Sequence, residues 1–290
     1  LVVCDRLSRR PDAPAWLAGT VTLSWGVGGA SQLPVLHLPA PPPTERAFAE
    51  YLAARLDRSP DTHPSSWVVN LLKDRKPDVA AAIQRCAPGP TSDDGERLGW
   101  ITALACESAP EATSQLQTVR RDYMVGNLMS VMARTGADHL ERCLFRPWDY
   151  ADALDNQSLH WEPSEDRRHA YQWHQPNGDP TRKRQGGMLG ANRLALEAWP
   201  LLPSFPSGAV DKAQTRGFRG TRANETSWTW PLWRPRLTAD AAASMLGLWE
   251  LVAEEPTLGS VGAYGVTAVL RSRRILVGKT PNLTSPAVLV

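Results

Sequence analysis

LFRPWDYADALDNQSLHWEPSEDRRHAYQWHQPNGDPTRKRQGGMLGANRLALEAWPLLP, residues 144–203, is the stretch at which this chain changes character. Within it fall four tryptophans (Trp148, Trp161, Trp173, Trp199), three histidines (His160, His169, His174) and the basic clusters Arg167-Arg168 and Arg182-Lys183-Arg184. Upstream, apolar residues recur at helical spacing. Downstream they fall in short β-prone runs broken by Gly and Pro. Helices followed by strands, without regular βαβ alternation, define an α+β chain. Residues 1–143 are expected to be mainly helical with a small N-terminal sheet, and residues 144–290 to form a basic, β-rich α+β region.

Working back from the stretch, Ala137–Leu144 reads as a short helix after Gly136, and Leu116–Arg134 as the longest helix. Leu98–Cys106, Pro77–Cys86 and Ser65–Asp74 are further helical segments, and residues 87–96 (APGPTSDDGE) read as an exposed loop. Thr44 starts a helix whose Phe48, Leu52 and Leu56 share one face, and residues 20–38 form two strands joined by a Gly-rich turn.

Within and beyond the stretch, SLHW (158–161) is a strand and Asn177-Gly178-Asp179-Pro180 a turn. Leu189–Trp199 is a helix stopped by Pro200. Thr215–Gly220 and Glu225–Trp233 are strands, and Tyr264–Val277 is one or two more. Leu237–Glu254 is the clearest helix here, capped by Thr238, with Met245, Leu248, Trp249 and Val252 on its apolar face. Trp67, Trp100, Trp199 and Trp249 lie in helical patterns and are expected in the core, as are Trp228 and Trp230 on one strand face. For Trp148, Trp161 and Trp173, burial and stacking on nucleobases are both open.

Charge is distributed in blocks. Residues 1–166 carry 16 Lys/Arg against 22 Asp/Glu, and residues 167–236 carry 12 against 4, which is −6 against +8. Residues 237–255 then carry four acids and no base, and residues 256–290 four bases and no acid. A basic block of this size fits a polyanion or an acidic protein surface. Cys4, Cys86, Cys106 and Cys143 form no C-x-x-C pair, so free thiols in a reducing cytoplasm are expected rather than cysteine-ligated metal. No apolar run is long enough to span a bilayer. The opening LVVCDRLSRR has neither an initiator Met nor a signal-peptide pattern, as expected of a start inside a longer chain. P-loop, Rossmann and G-x-S-x-G signatures are missing, so ATPase, dinucleotide and hydrolase-elbow chemistry have no motif, and no cofactor is implied.

Two site hypotheses follow from the residues. A metal-dependent nuclease would draw on Glu165, Asp166, His169 and His174, with His160, Glu162 and Asp179 nearby, although H-E-x-x-H is absent. A nucleic-acid surface would use guanidinium and ammonium groups on phosphates. The residues in question are Arg167, Arg168, Arg182, Lys183, Arg184, Asn192, Arg193, Arg216, Arg219, Arg271, Arg274 and Lys279. A structural adaptor docking an acidic protein is a third possibility from the same charge.

Several segments resemble proteins encoded in type I-G (formerly I-U) CRISPR-Cas loci. They are SLHWEPSEDRRHAYQW (158–173), GDPTRKR (178–184), LGANRLALEAWPLLP (189–203), TRGFRG (215–220), WTWPLW (228–233) and RSRRILVGKTPNLTSP (271–286). Residues 1–143 are similar only through QLQTVRRDYMVGNLMSVMART (115–135). The resemblance implies a large-subunit-like or helicase-nuclease-associated component of a type I effector, without a catalytic motif of its own. Its partners would be crRNA, target DNA and other effector subunits, including the helicase-nuclease, in crRNA-guided DNA targeting. In such complexes the guide reads sequence by base pairing while protein contacts hold the backbone.

Overall fold

The computed structural model describes residues 1–28, 31–56, 63, 65, 78–86, 92–107, 109, 115–117, 121–152, 159, 161, 187–207, 212–220, 226–277 and 280–290. The chain is α+β. The opening helix α1 (Val2–Ser8) is followed by the antiparallel hairpin of β1 (Thr22–Gly28) and β2 (Ser31–His37). Helix α2 (Glu45–Leu56) begins where Thr44 Oγ1 accepts the Ala47 N–H at 3.0 Å, and it buries Phe48, Ala49, Leu52 and Leu56. Helices α3 (Val79–Cys86), α4 (Ser92–Leu104), α5 (Arg121–Arg134) and α6 (Ala137–Phe145) follow, and α7 (Leu189–Glu197) lies across α6.

After α7, a 3-10 turn (Trp199–Leu201) leads to the small pair β3 (Ser204–Pro206) and β4 (Ala213–Thr215). The main sheet runs β5 (Phe218–Arg219), β6 (Ser227–Trp233), β7 (Val266–Val277), β8 (Thr280–Leu283), with β9 (Ala287–Val288) also pairing β7. Between β6 and β7 the chain forms α8 (Ala239–Leu246), a 3-10 helix (Trp249–Val252) and α9 (Leu258–Val261). One apolar cluster joins Trp100, Leu128, Leu196, Trp199 and Phe218, so residues from both sides of position 144 share a core. A second gathers α1, α2 and Leu140. A third packs Met245, Leu251 and Val261 against Val266 and Val269 of β7.

Several elements differ from the pattern in the sequence. The expected loop 87–96 gives way to helix from Ser92, and α4 ends at Leu104 rather than Cys106. The long helix spans Arg121–Arg134, and upstream of it Gln115 lies in a turn and exchanges hydrogen bonds with Thr215. Leu237–Glu254 is not one helix. It breaks at Gly247 into α8 and a 3-10 turn, which swings Trp249 out to 74% exposure instead of into the core. Thr238 does cap α8, accepting the Ala241 N–H. Thr215–Gly220 splits at a tight turn whose Gly217 has φ +77° and lies against Trp228, where a side chain would be strained. α7 ends at Glu197, ahead of Pro200, which sits in the 3-10 turn Trp199–Leu201 that follows. Trp228 and Trp230 are half-buried; their rings meet at 4.6 Å, tilted by 33°, and Phe218 stacks on Trp228 at 6.2 Å. Positions 66–74 of the expected helix 65–74, the turn 177–180, Trp67 and Trp173 lie outside the described residues, as do positions 158 and 160 of SLHW.

The stretch 144–203 is pinned at both ends. Asp152 and Gly187 form an isolated antiparallel bridge, their N–H groups each donating to the other's carbonyl at 3.0 and 2.8 Å, so the chain leaves and returns at one point. Leu159 is buried, and Trp161 packs edge-on against Trp199 at 5.0 Å while its Nε1 donates to Leu116 O. The buried Asp152 carboxylate also accepts the Leu189 N–H at 2.7 Å and pairs with Arg142. This remote side chain supplies the α7 cap that Met188 lacks. Asp152→Ala leaves the Leu189 N–H uncapped and, among the described residues, Arg142 with Asp149 alone. It is expected to cost about 2–3 kcal/mol, read as a lower urea midpoint, with Asp152→Asn recovering part of it.

Among the described residues Cys4, Cys106 and Cys143 form no disulfide, and burial, with Asp152 adding to it, pushes the Cys143 thiol up to about 12. No helix among the described residues is long and apolar enough to cross a membrane.

Candidate nucleic-acid interface

Side chains alternate across a strand, and registered antiparallel partners share a face. Arg219 pairs with Ser227, Ser227 with Arg273, and Thr229 with Arg271. Arg219, Arg271 and Arg273 therefore lie on one face of the main sheet, at the edge of the layer formed by α8, the 3-10 turn and α9. Arg271 is anchored: Nε donates to Thr229 Oγ1 at 3.0 Å, and Nη1 and Nη2 donate to the Glu254 and Ala253 carbonyls. Burial, and after it the neighbouring Arg219 charge, lower the Arg271 pKa from its usual value, with Glu254 opposing. Arg219 Nη2 meets Glu254 Oε2 at 3.2 Å on an exposed rim. Arg273 is exposed, and its guanidinium has no partner among the described residues.

Other arginines expected at the surface are turned inward. Arg193 is 1% exposed. Its Nη2 donates to Leu56 O, the last carbonyl of α2, at 2.8 Å and to Glu197 Oε1 at 2.9 Å. Asn192 is also buried, and its Nδ2 donates to Met188 O. Neither side chain is open to a phosphate in this structure, because α7 is enclosed on nearly every side. Arg274 occupies the opposite sheet face from Arg271, with Nη2 donating to Gln117 O at 3.0 Å. Arg216 is half-buried and donates to Leu201 O and Ala243 O, both at 3.2 Å. Burial lowers the pKa of both groups. These guanidinium groups close carbonyls at the ends of helices and turns, a use that the helix dipole favours. Arg167, Arg168, Arg182, Lys183, Arg184 and Lys279 lie outside the described residues, as do Glu165, Asp166, His169 and His174. Among the described residues no group of His, Cys, Asp and Glu could hold a metal ion.

A site of another kind has only the Arg193–Glu197 pair, four residues apart on α7, as a signal in the sequence. Glu197 sits at the centre of a buried network, with Oε1 accepting from Arg193 and from His63 Nε2 at 3.1 Å, and Oε2 accepting from Arg6 Nη2 at 3.0 Å. Arg6 also reaches Glu96. On the other side of the ring, Ser65 Oγ lies 2.7 Å from His63 Nδ1. Ser65, His63 and Glu197 have the connectivity of a nucleophile relay, but they are 0%, 1% and 3% exposed, which keeps a substrate from the hydroxyl. The network instead ties α1, α2, α4 and α7 together.

No family model matches the chain, and neither the curated proteins nor the solved structures contain a match to it.

Proposed function

We propose that this chain is a non-catalytic, nucleic-acid-associated subunit of a type I CRISPR effector, of the type I-G kind that its segments resemble. It would contribute to crRNA-guided DNA targeting by holding the backbone of crRNA or target DNA against its basic sheet face. The observation that carries the proposal is the placement of Arg219, Arg271 and Arg273 on one face, with Arg273 exposed and free of a partner among the described residues. Guanidinium groups there can engage phosphate oxygens through paired N–H donors. Base identity is left to the guide, which fits a face that presents charge.

The test is fluorescence anisotropy with labelled 20-nucleotide single-stranded DNA, its RNA counterpart and the duplex. The double variant Arg219→Glu/Arg273→Glu is expected to bind at least tenfold more weakly, since each charged contact contributes about 1.5–3 kcal/mol. Both side chains are on the rim, so the fold is expected to persist, with an unchanged circular dichroism spectrum. Equal affinity of wild type and double variant would remove this face from the interface. Co-purification with an acidic protein that survives nuclease treatment would replace nucleic acid by that protein.

A further inference from the structure

The acidic segment 237–255 closes over the arginine face at one point, and its two contacts there differ in kind. Arg271 grips main-chain oxygens, those of Ala253 and Glu254. Among the described residues Arg219 grips the Glu254 side chain alone, at 3.2 Å, and that side chain is 83% exposed. The backbone of this corner is therefore held whether or not the carboxylate stays in place. Along β7, Arg271 and Arg273 are two residues apart, about 7 Å, and Arg219 lies two strands from Arg273, about 10 Å. A carboxylate on one guanidinium leaves Arg273 unengaged, whereas a phosphodiester has oxygens in several directions and belongs to a chain with further phosphates.

We infer that the position of the Glu254 carboxylate is a phosphate subsite, and that Glu254 is its internal competitor, displaced when a nucleic-acid backbone binds. Resting on the basic face as a nucleic-acid interface, this assigns to one residue a sign opposite to that of its neighbours. An exposed ion pair of this kind is weak, so displacement is easy and the effect on affinity modest. Glu254 would thus favour ligands with several phosphates over isolated anions.

The experiment compares Glu254→Gln with Glu255→Gln in the full chain, using the same labelled single-stranded 20-mer at low salt. Glu255 is the exposed neighbour, and no described arginine pairs with it. Glu254→Gln is expected to raise affinity about two- to fivefold, with Glu255→Gln giving less than half that gain. In the Arg219→Glu/Arg273→Glu background the gain from Glu254→Gln is expected to vanish. Equal gains from both substitutions would show a general charge effect and overturn the competitor, as would no gain from Glu254→Gln while the wild type binds. If neither wild type nor Glu254→Gln binds the 20-mer, the nucleic-acid interface itself fails along with the competitor.

Discussion

Gly190→Ala is expected to destabilise the protein by about 2–3 kcal/mol, although alanine is the better helix former. Gly190 is on α7 where that helix crosses α6. A Cβ there would overlap the His139 carbonyl oxygen and stand 2.7 Å from Cys143 Cβ and 2.8 Å from the His139 carbonyl carbon. Two of those atoms are backbone, so no rotamer change clears the space and the helices must separate. Separation would loosen the core around Leu140 and the Asp152 cap of α7 together. Gly126 is the internal control. It is exposed on α5, and among the described residues nothing lies within 4 Å of its Cβ position. Gly126→Ala is expected to stabilise by about 0.5–1 kcal/mol through the unfolded chain. Urea unfolding of the two variants reads both signs, and a neutral Gly190→Ala would show that the α6–α7 approach is looser than described.

Glu197→Ala is expected to cost about 3–5 kcal/mol, because it leaves Arg193, His63 and Arg6 without their shared buried carboxylate. The same residue gives stability a pH dependence. Burial alone would raise the Glu197 pKa, but the His63 hydrogen bond, with the charges of His63, Arg193 and Arg6, brings it from 4.5 down to about 2. A carboxyl depressed in the folded state stabilises above its unfolded value and loses that contribution as pH falls through its folded value. The difference in urea midpoint between wild type and Glu197→Gln is therefore expected to be full at pH 6 and to shrink between pH 4.5 and 2. A difference that stays constant over that window would mean that the carboxylate is not held ionised by this network.

Much of the fold is legible in local patterning. The hairpin at 20–38, the Thr44 start of α2, the Gly136 start of α6 and the Thr238 cap rest on residues a few positions apart, where short-range chemistry decides. The break at Gly247 is not legible, because the periodicity of Met245, Leu248, Trp249 and Val252 continues across it while the backbone does not. The site is legible in part. Regional charge marks the basic sheet, but a composition count cannot tell a rim arginine from one that closes a buried helix end, as Arg193 does on Leu56. Strand parity could have found Arg273: on a continuous β7, Arg271 and Arg273 share a face and Arg274 does not. Of the Glu197 network only the Arg193–Glu197 pair, four residues apart on α7, is local; His63 is 134 residues from Glu197, and no pattern links them.

The central claim is that Arg219 and Arg273 neutralise phosphates. It is tested most directly by measuring how the dissociation constant for duplex DNA varies with salt, for wild type and for Arg219→Ala/Arg273→Ala. Each neutralised phosphate contributes about 0.9 to the slope of log K against log salt. The alanine pair is therefore expected to reduce the magnitude of that slope by about 2. Identical slopes for the two proteins, at whatever affinity, would contradict it.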